Sequence, residues 1–380
     1  MEFSKDQRIA IDSIVDWATS HTISLPAFTF SGAAGTGKTT VVSHLHGFLP
    51  MRKIVYCAYT GKASLVLRRK LTTLGISSDN VSTIHALMYD PIKGDDGEIV
   101  GWVKKESIDA DLIIVDESSM VPKEIYDDLK SYGIPVLYVG DHFQLPPVSS
   151  DKFNLMDDPF IKLETPHRFA VDSTIVKVAT RIRNGETLKY GVQGKGVVKR
   201  RLKTMTPKER YMFFQDDQLK RGDSIVLCGF NKTRVRLNAS IRKHFGYPGL
   251  INNYERVICL KNYKRSNIPL YNGAIGTVTH VSNRFKKSFK AYVMMDGFDS
   301  NFIGNVYSDI FGVEKPNLFD DRSQQTQCFD YGYAISCHKS QGSSWGRVCV
   351  FEEECSLWDN HRWLYTAVTR AEKELLIVKN

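Results

Sequence analysis

A glycine-rich octapeptide carries the strongest chemical signal in this sequence of 380 residues. Gly32-Ala33-Ala34-Gly35-Thr36-Gly37-Lys38-Thr39 matches the Walker A pattern, and it follows an apolar run that ends at Phe30. Glycines let such a loop curl so that its N–H groups point at phosphates, and the helix that follows adds a favourable field. We expect Lys38 to neutralise the β and γ phosphates and the Thr39 hydroxyl to ligate Mg²⁺. The pattern therefore predicts a site for ATP and Mg²⁺ at Gly32, Gly35, Thr36, Gly37, Lys38, Thr39 and Thr40. A chance glycine-rich turn is the alternative.

Polar residues that follow two further apolar runs could complete this chemistry. Asp116 and Glu117 come directly after the run at 112–115, where the ligand sites of α/β proteins lie. An acid there can hold Mg²⁺ through water, and its neighbour can accept a proton from the attacking water, so we assign Asp116 to the metal and Glu117 to the water. Gln144 follows the next run and could sense the γ-phosphate through the rigid turn at Pro146-Pro147. Helix caps and a plain proline-rich loop are the respective alternatives.

Short apolar segments alternating with helix-like stretches must position these residues. Polar-faced stretches long enough for crossover helices separate the first four segments, which predicts a parallel sheet in an α/β domain. Those segments cover residues 27–30, 54–57, 112–115 and 136–139. A second set predicts another α/β domain that is built from two separated pieces of chain. Its segments cover residues 224–229, 331–336, 347–351 and 375–378.

Two stretches depart from this alternation and predict insertions. Residues 254–323 are rich in β-forming runs with turn signals at Asn272-Gly273 and Asp296-Gly297, which indicates a small antiparallel barrel. Residues 88–109 contain the turn signal Gly94-Asp95-Asp96-Gly97 between apolar flanks, which indicates a β-hairpin. The predicted domains are a first motor domain at 1–165 with a hairpin at about 88–109, a second at 166–250 and 324–380, and a barrel at 251–323.

The overall composition limits the possible partners and compartments. The chain has 51 basic and 42 acidic residues, which gives a net charge of +9. This charge suits a polyanionic partner but does not prove that one binds. No window of eighteen apolar residues predicts a membrane span, and the first residues do not resemble a secretory signal. The seven cysteines form no CxxC pair, so we expect reduced core thiols and no zinc site. These observations predict a cytoplasmic protein, in the host cytoplasm if the source is viral.

In their order along the chain, the motifs resemble those of superfamily 1 helicases. The resemblance is strongest to the 5′-to-3′ branch, superfamily 1B, that includes RecD and the phage enzyme Dda, and it spans Gln7 to Arg370. It implies two RecA-like parallel-sheet motor domains with a hairpin insertion in the first and an SH3-like barrel insertion in the second. It also implies an ATP-driven motor that moves 5′-to-3′ along single-stranded DNA and separates duplex DNA. The compact length favours a phage-type enzyme.

The resemblance adds further residues to the nucleotide site. Gln7 matches the family's adenine-reading glutamine, although Ser4-x-x-Gln7 is also a capping box for a first helix. Arg168 and Arg370 match the two arginine fingers, a role that suits a planar, permanently charged guanidinium. Motif V, which includes Gln341 and Gly342, links nucleotide and DNA. Many relatives carry a glutamate where this chain has Ser344, which leaves a ribose or coupling contact open.

Other matching positions predict contacts with nucleic acid that carry no sequence information. The predicted set is Thr60, Lys62, Thr83, His85, Asn231, His338, Ser340 and Trp102. His85 could equally be a partly buried structural histidine. Trp102, in the predicted strand-separating hairpin, is a candidate stacking plate, and the alternative is that it packs the hairpin onto its own domain.

The predicted partners are single-stranded DNA and single-strand/duplex junctions, bound without sequence preference by a monomer. Single-strand-binding or replication proteins are candidate protein partners, and the pathway could be replication, recombination or repair. A translocase or RNA-directed remodeller using the same ATPase is the alternative function. A third possibility is a nucleic-acid clamp that uses ATP only as a switch, against which the complete catalytic set argues.

Overall fold

The computed structural model describes residues 3–20, 27–50, 52–77, 80–93, 99–147, 153–165, 173–262, 268, 270–285, 287–298, 300–318 and 326–380. The chain divides into two compact units, Met1–Ser173 and Thr174–Asn380. The predicted border after residue 165 lies slightly before this division. Among the described helices, none is long and apolar enough to cross a membrane.

The first unit is built on a sheet whose described strands are all parallel, in the order β3-β2-β6-β7-β1-β8. The strands are β1 (Ala27–Gly32), β2 (Ile54–Ala58), β3 (Val81–Thr83), β6 (Leu112–Asp116), β7 (Val136–Gly140) and β8 (Ile161–Leu163). The helices are α1 (Lys5–Thr19), α2 (Lys38–Phe48), α3 (Gly61–Thr72), α4 (Ile84–Met88) and α5 (Lys123–Lys130). The four predicted strands are confirmed, and each is a largely buried apolar run, while the short β3 and β8 were not predicted.

A two-stranded antiparallel hairpin interrupts the first unit between α4 and β6. It consists of β4 (Tyr89–Lys93) and β5 (Ile99–Lys104), and it pairs Tyr89 with Lys104 and Pro91 with Trp102. The strands fall within the predicted insertion. The predicted turn at 94–97 lies outside the described residues.

The second unit also contains a largely parallel sheet, in the order β17-β11-β18-β19-β10-β9, in which only β9 is antiparallel to its described neighbour. The strands are β9 (Gly191–Gly194), β10 (Val197–Arg201), β11 (Ser224–Cys228), β17 (Ala334–Ser336), β18 (Trp345–Glu352) and β19 (Ala371–Lys379). The helices are α6 (Thr174–Arg183), α7 (Pro207–Phe214), α8 (Asp217–Arg221), α9 (Asn231–His244), α10 (Cys337–Ser340) and α11 (Asn360–Val368). The sequence did not predict β9 and β10.

A second sheet lies within the sequence of this unit, in the antiparallel order β15-β14-β13-β12-β16. Its strands are β12 (Arg256–Cys259), β13 (Ile275–Phe285), β14 (Ser288–Met295), β15 (Phe302–Tyr307) and β16 (Phe329–Tyr331). A bridge between Val306 and Gln327 joins β15 to the chain entering β16, so the two edges of the sheet meet. Gly273 and Gly297, both at φ 86°, supply the left-handed turns that the sequence predicted.

One predicted strand was wrong in its extent. Residues 331–336 form the end of β16 in the small sheet and the whole of β17 in the large one, rather than one motor strand. Gly332 separates them because a Cβ at that position would lie 2.9 Å from the carbonyl carbon of Val257. The chain therefore passes between two sheets at a point where only glycine fits.

Candidate functional site

The Walker A segment forms the strand–loop–helix that its sequence predicts. It follows β1 and enters α2, with Gly35 and Gly37 at φ 81° and 82°, in the left-handed region. A Cβ on Gly32 would lie 2.5 Å from Thr36 Oγ1 and 2.9 Å from Lys38 Cγ. The loop can therefore curl this tightly only with glycine at these positions.

Lys38 and the neighbouring threonines lie at the start of α2. The Lys38 ammonium donates to the carbonyl oxygens of Gly32, at 2.5 Å, and Ala33, at 3.2 Å, so it lies over its own loop. Thr36 is buried and donates to Ala33 O at 2.9 Å, whereas Thr39 and Thr40 are half-buried in the first helical turn. The loop thus carries one cation and two accessible hydroxyls, a set that suits a phosphate with its Mg²⁺.

Gln7 fulfils the capping alternative and also reaches the Walker loop. Its Oε1 accepts from Ser4 N at 3.1 Å, and its backbone N donates to Ser4 Oγ, which completes a capping box. Its Nε2 donates to Thr36 O at 3.3 Å, and the side chain is buried. One amide therefore links the start of α1 to the phosphate loop, and its adenine role stays a prediction.

The two acids follow the strand that the sequence assigned to them. Asp116 ends β6, and its Oδ1 accepts from Glu117 N at 2.9 Å. Glu117 adopts φ 52° and ψ 38°, and among described residues other than glycine only Tyr254 shares a positive φ. Such a conformation costs about 1–3 kcal/mol and is concentrated at functional sites. Because parallel strands end at one edge of a sheet, the acids and the Walker loop lie at the same edge.

The turn after β7 connects directly to the strand that leads into the Walker loop. Ser31 Oγ lies 2.7 Å from His142 Nδ1, and it accepts from His142 N at 3.1 Å. In the same turn, Gln144 is 4% exposed, and its N donates to Asp141 O at 3.0 Å. Gln144 Oε1 is buried without a hydrogen-bond partner among the described residues, so it can accept from a water or a ligand. Sequence reasoning missed the contact between Ser31 and His142.

The two predicted arginine fingers have different outcomes. Arg168 lies outside the described residues. Arg370, in the second unit, is 6% exposed, and its guanidinium donates to Thr366 O at 3.1 Å, Ser343 O at 3.3 Å and Thr369 Oγ1 at 3.2 Å. These contacts hold the group between the end of α11 and motif V.

Motif V is a short buried turn around α10. Ser340 is fully buried and donates to Cys337 O at 2.6 Å, and burial lowers the pKa of His338. Burial, aided by the nearby Arg234 charge, lowers the pKa of Lys339 to about 8. Gln341 is 3% exposed, and Gly342 follows with φ 72°. The predicted DNA contacts of His338 and Ser340 therefore lie in a largely desolvated turn.

Ser344, where the family resemblance leads to the expectation of a glutamate, has a carboxylate partner of its own. Its hydroxyl donates to Glu372, an exposed residue near the start of β19. A carboxylate is therefore present beside this position although the sequence lacks one at residue 344.

Three of the predicted nucleic-acid contacts of the first unit lie at helix starts. Thr60 caps α3 by accepting from Ala63 N at 3.2 Å, and Thr83 caps α4 by accepting from Ala86 N at 3.1 Å. Lys62 is half-buried in the first turn of α3. The two hydroxyls have a structural role, and their phosphate role stays a prediction.

His85 and Trp102 meet at the base of the hairpin. The His85 ring centre lies 4.7 Å from that of Tyr89 and 5.8 Å from that of Trp102, edge to face. His85 is exposed rather than partly buried, and Trp102 retains 43% exposure. Trp102 therefore packs on its own unit and still presents a ring surface to solvent.

The start of α9 is capped by a residue that the sequence did not single out. Glu353 accepts from Gly229 N at 2.7 Å, Phe230 N at 3.0 Å and Thr233 Oγ1 at 2.5 Å. Asn231, the predicted contact there, is exposed, and its Oδ1 accepts from Arg234 Nε at 3.4 Å. The acidic run at 352–354, which follows a predicted strand, was the sequence signal that could have identified Glu353 as this cap.

Comparisons with known proteins agree with this arrangement. An AAA domain model matches residues 16–150, and a UvrD-like helicase C-terminal domain model matches residues 331–378. The ATP-dependent RecD2 DNA helicase of Deinococcus radiodurans is 27% identical over 390 residues, covering 94% of this chain and 47% of that protein. The ATP-dependent DNA helicase PIF1 of Rattus norvegicus is 32% identical over 138 residues, covering 32% of this chain and 20% of that protein. The chain spans less than half the length of these relatives.

Solved structures share the fold. A Pif1 helicase structure described as a basis for DNA unwinding at forked duplex DNA has a TM-score of 0.60 at 18% identity and covers 99% of this chain and 92% of its own. A Bacteroides Pif1 helicase in complex with ADP-AlF3 and single-stranded DNA has a TM-score of 0.57 at 19% identity, with the same coverage. The two domain matches lie in order on the two units, and the chain is similar in sequence to the RecD2 and PIF1 helicases, as its resemblance to superfamily 1B predicts.

Proposed function

We propose that this protein is an ATP-dependent DNA helicase that moves 5′-to-3′ along single-stranded DNA and separates duplex DNA. One observation carries the proposal. The Walker loop, the Asp116-Glu117 pair and the Gln144 turn end neighbouring parallel strands at one edge of a sheet, and the contact between Ser31 and His142 joins two of them. This set matches the needs of phosphoryl transfer to water, and the RecD2 and PIF1 relatives are named ATP-dependent DNA helicases.

Each residue of the site has a proposed role. Lys38 binds the β and γ phosphates, and Glu117 orients and deprotonates the attacking water. Bound Mg²⁺ would be held by Thr39 and Asp116 and would neutralise charge between the phosphates. Gln7 binds adenine, Gln144 senses the γ-phosphate, and Gln341 and Gly342 contact the nucleotide from motif V. Arg370 and Arg168 act as arginine fingers, a role worth ~10³–10⁵ in turnover for related hydrolases.

The domains that we propose follow the sheets. Residues 1–165 form the first RecA-like motor domain, and residues 166–250 with 324–380 form the second. The meeting of the small sheet's edges at Val306 and Gln327 supports an SH3-like barrel around residues 251–323. The eight predicted contacts in the two motor domains and the hairpin bind single-stranded DNA and junctions.

We propose that the hairpin separates the strands. Opening one base-pair step costs ~1.4 kcal/mol, so a wedge must trap the separated bases. The exposed ring surface of Trp102 supports a stacking role there. Trp102→Ala should abolish unwinding while single-stranded DNA still stimulates ATP hydrolysis. Unchanged unwinding by this variant would remove the wedge assignment.

Unwinding of duplexes with either a 5′ or a 3′ single-stranded tail tests the main proposal. We expect ATP-dependent strand release from the 5′-tailed substrate only, and none from Lys38→Ala. Release from neither substrate, despite ATP hydrolysis stimulated by single-stranded DNA, would favour the translocase alternative. Stronger stimulation by RNA than by DNA would favour an RNA-directed remodeller.

A further inference from the structure

The segment 195–210 concentrates positive charge at one edge of the second unit. It holds seven basic residues and a single acidic one, Glu209, in a chain whose net charge is +9. It runs through β10, the 3₁₀ turn Leu202–Thr204 and α7. In the large sheet β10 and β9 form the edge opposite to β17, which leads into motif V. No role assigned above uses this edge.

Two of the seven basic residues are neutralised by buried or half-buried carboxylates. Lys199 Nζ lies 2.6 Å from Glu352 Oε2, with both side chains nearly buried, and Arg200 Nε lies 2.9 Å from Glu209 Oε1. Glu209 also caps α7 by accepting from Thr206 N at 2.8 Å. The one acidic residue of the segment is thereby fully engaged.

The other five basic residues, which we call the edge patch, are exposed. They are Lys195, Arg201, Lys203, Lys208 and Arg210. Among the described residues, no carboxylate lies within ion-pairing distance of any of them. Uncompensated like charges that lie this close together in the chain repel one another, so they are stabilised when an anion binds.

Local contacts fix two of the five cations, Arg210 and Arg201, and place an aromatic ring beside Arg201. Arg210 Nη2 donates to Leu202 O at 3.3 Å, which fixes α7 against the 3₁₀ turn. The Arg201 guanidinium lies 4.9 Å from the centre of the Tyr190 ring. Tyr190 is 45% exposed, and Tyr211, one helical turn after Lys208, is 46% exposed. Exposed tyrosines therefore accompany the cations at both ends of the turn.

We infer that the edge patch, with Tyr190 and Tyr211, is a second binding site for single-stranded DNA, separate from the motor contacts of the proposed function on which this inference rests. Lysine and arginine side chains bind phosphates without sequence preference, and exposed aromatic rings stack on unpaired bases. A duplex offers the same phosphates but keeps its bases stacked inside. The two exposed tyrosines therefore favour a single strand over a duplex.

Salt dependence of binding gives a direct count of the phosphates that the patch neutralises. The slope of log affinity against log salt is about −0.7 per phosphate for single strands. In the full chain, the triple variant Arg201→Gln, Lys203→Gln, Lys208→Gln should therefore make the slope for a long oligo-dT shallower by about 2. The triple variant Lys243→Gln, Lys287→Gln, Lys315→Gln removes the same charge from other exposed positions of this unit and should keep the wild-type slope.

The aromatic part is tested by Tyr190→Leu combined with Tyr211→Leu. Each lost stacking contact should weaken binding of oligo-dT about five- to 150-fold, whereas binding of a blunt duplex should not change. If the double variant binds the blunt duplex as weakly as it binds oligo-dT, the patch does not prefer a single strand. If poly-glutamate competes for the patch as well as oligo-dT does, the ligand of the patch is an acidic protein segment and the assignment to DNA is wrong.

ATP hydrolysis at saturating DNA separates this inference from the proposed function. Both patch variants should retain full stimulation, which also shows that they are folded. Equal slopes for the two charge variants, with stimulation intact, would overturn the edge patch alone. Absence of stimulation in the wild type would overturn the proposed motor, while the salt slopes would still decide whether the patch binds DNA.

Discussion

The hairpin β4–β5 is anchored to α5, the helix after the Asp116-Glu117 strand, and Asp128 is central to that anchor. The Tyr89 hydroxyl donates to Asp128, and burial together with this hydrogen bond raises the pKa of Tyr89. Lys104 Nζ lies 3.7 Å from Asp128 Oδ1. Tyr89 and Lys104 are opposite each other at the base of the hairpin. The Tyr132 hydroxyl also lies 2.9 Å from Met88 O and 3.0 Å from Lys105 O, where the chain enters and leaves the hairpin.

The strength of this anchor can be approximated from its geometry. A hydrogen bond to a charged group contributes ~1.5–3 kcal/mol, and we take the lower half of that range because the Asp128 side chain is 42% exposed. The partly exposed pair with Lys104 adds ~0–1 kcal/mol. Asp128→Ala should thus weaken the anchor by about 2 kcal/mol, roughly a 30-fold rise in the detached population. That loss exceeds the ~1.4 kcal/mol needed to open a base-pair step, and an isolated two-stranded hairpin has little stability of its own.

We therefore expect Asp128→Ala to lose most unwinding of a forked duplex while ATP hydrolysis stimulated by single-stranded DNA is retained. Amide hydrogen exchange should rise in peptides covering the hairpin strands and stay unchanged in β6 and β7. Asp127→Ala is the matched control, because Asp127 is on the same helix and its ion pair among the described residues is within that helix, with Lys123 at 2.5 Å. If the two variants unwind equally well, or if hairpin exchange does not rise, the anchor is not what makes the hairpin rigid.

Three other variants have definite expected outcomes. Lys38→Ala should bind single-stranded DNA normally in fluorescence anisotropy and lose ATP hydrolysis, because we propose that the Lys38 ammonium binds the phosphates of ATP. Weakened DNA binding would contradict this. Asp330→Ala leaves Arg234 buried without its carboxylate and should lower the free energy of unfolding by about 3–5 kcal/mol in urea titrations, and a loss below 1 kcal/mol would refute it. The pKa of Lys339 is lowered to about 8 in the folded protein, against ~10.4 in the unfolded chain, so protonated Lys339 destabilises the folded state. Between pH 8 and ~10 the folded protein has released this proton and the unfolded chain has not. The free energy of unfolding of the wild type should therefore rise over this range relative to that of Lys339→Met. Parallel pH curves would exclude that effect.

Patterns within a short stretch of sequence predicted most strands of the two large sheets and the strand–loop–helix fold of the Walker segment. Each predicted strand of the first unit is a buried apolar run, and the Walker loop needs glycine for reasons visible in its own eight residues. The strands β3 and β8 have three residues each, too few to form such a run. Strand β9 begins and ends with glycine, and β10 carries Lys199, whose burial depends on Glu352, far away in sequence.

Features that depend on contacts between distant segments could not be predicted. The approach of His142 to Ser31 follows from β7 pairing with β1, which no local pattern contains. Glu353 could be identified as the cap of α9 only once β18 was known to lie beside β11. The edge patch could not be predicted because its basic residues are spaced along a strand, a turn and a helix. Their common exposure becomes evident only when the partners of Lys199 and Arg200 are known.

The passage from β16 to β17 bears on any attempt to remove or exchange the small sheet. Only Gly332 and Tyr333 join the two strands, and they can span at most ~7 Å. Gly332 N donates to Arg256 O of the small sheet, while Tyr333 O accepts from Val226 N of the large one. A deletion of residues 251–323 would leave β16 behind as an unpaired edge strand. A graft between relatives would have to carry β16 along and rejoin the chain at Gly332, without room for a linker.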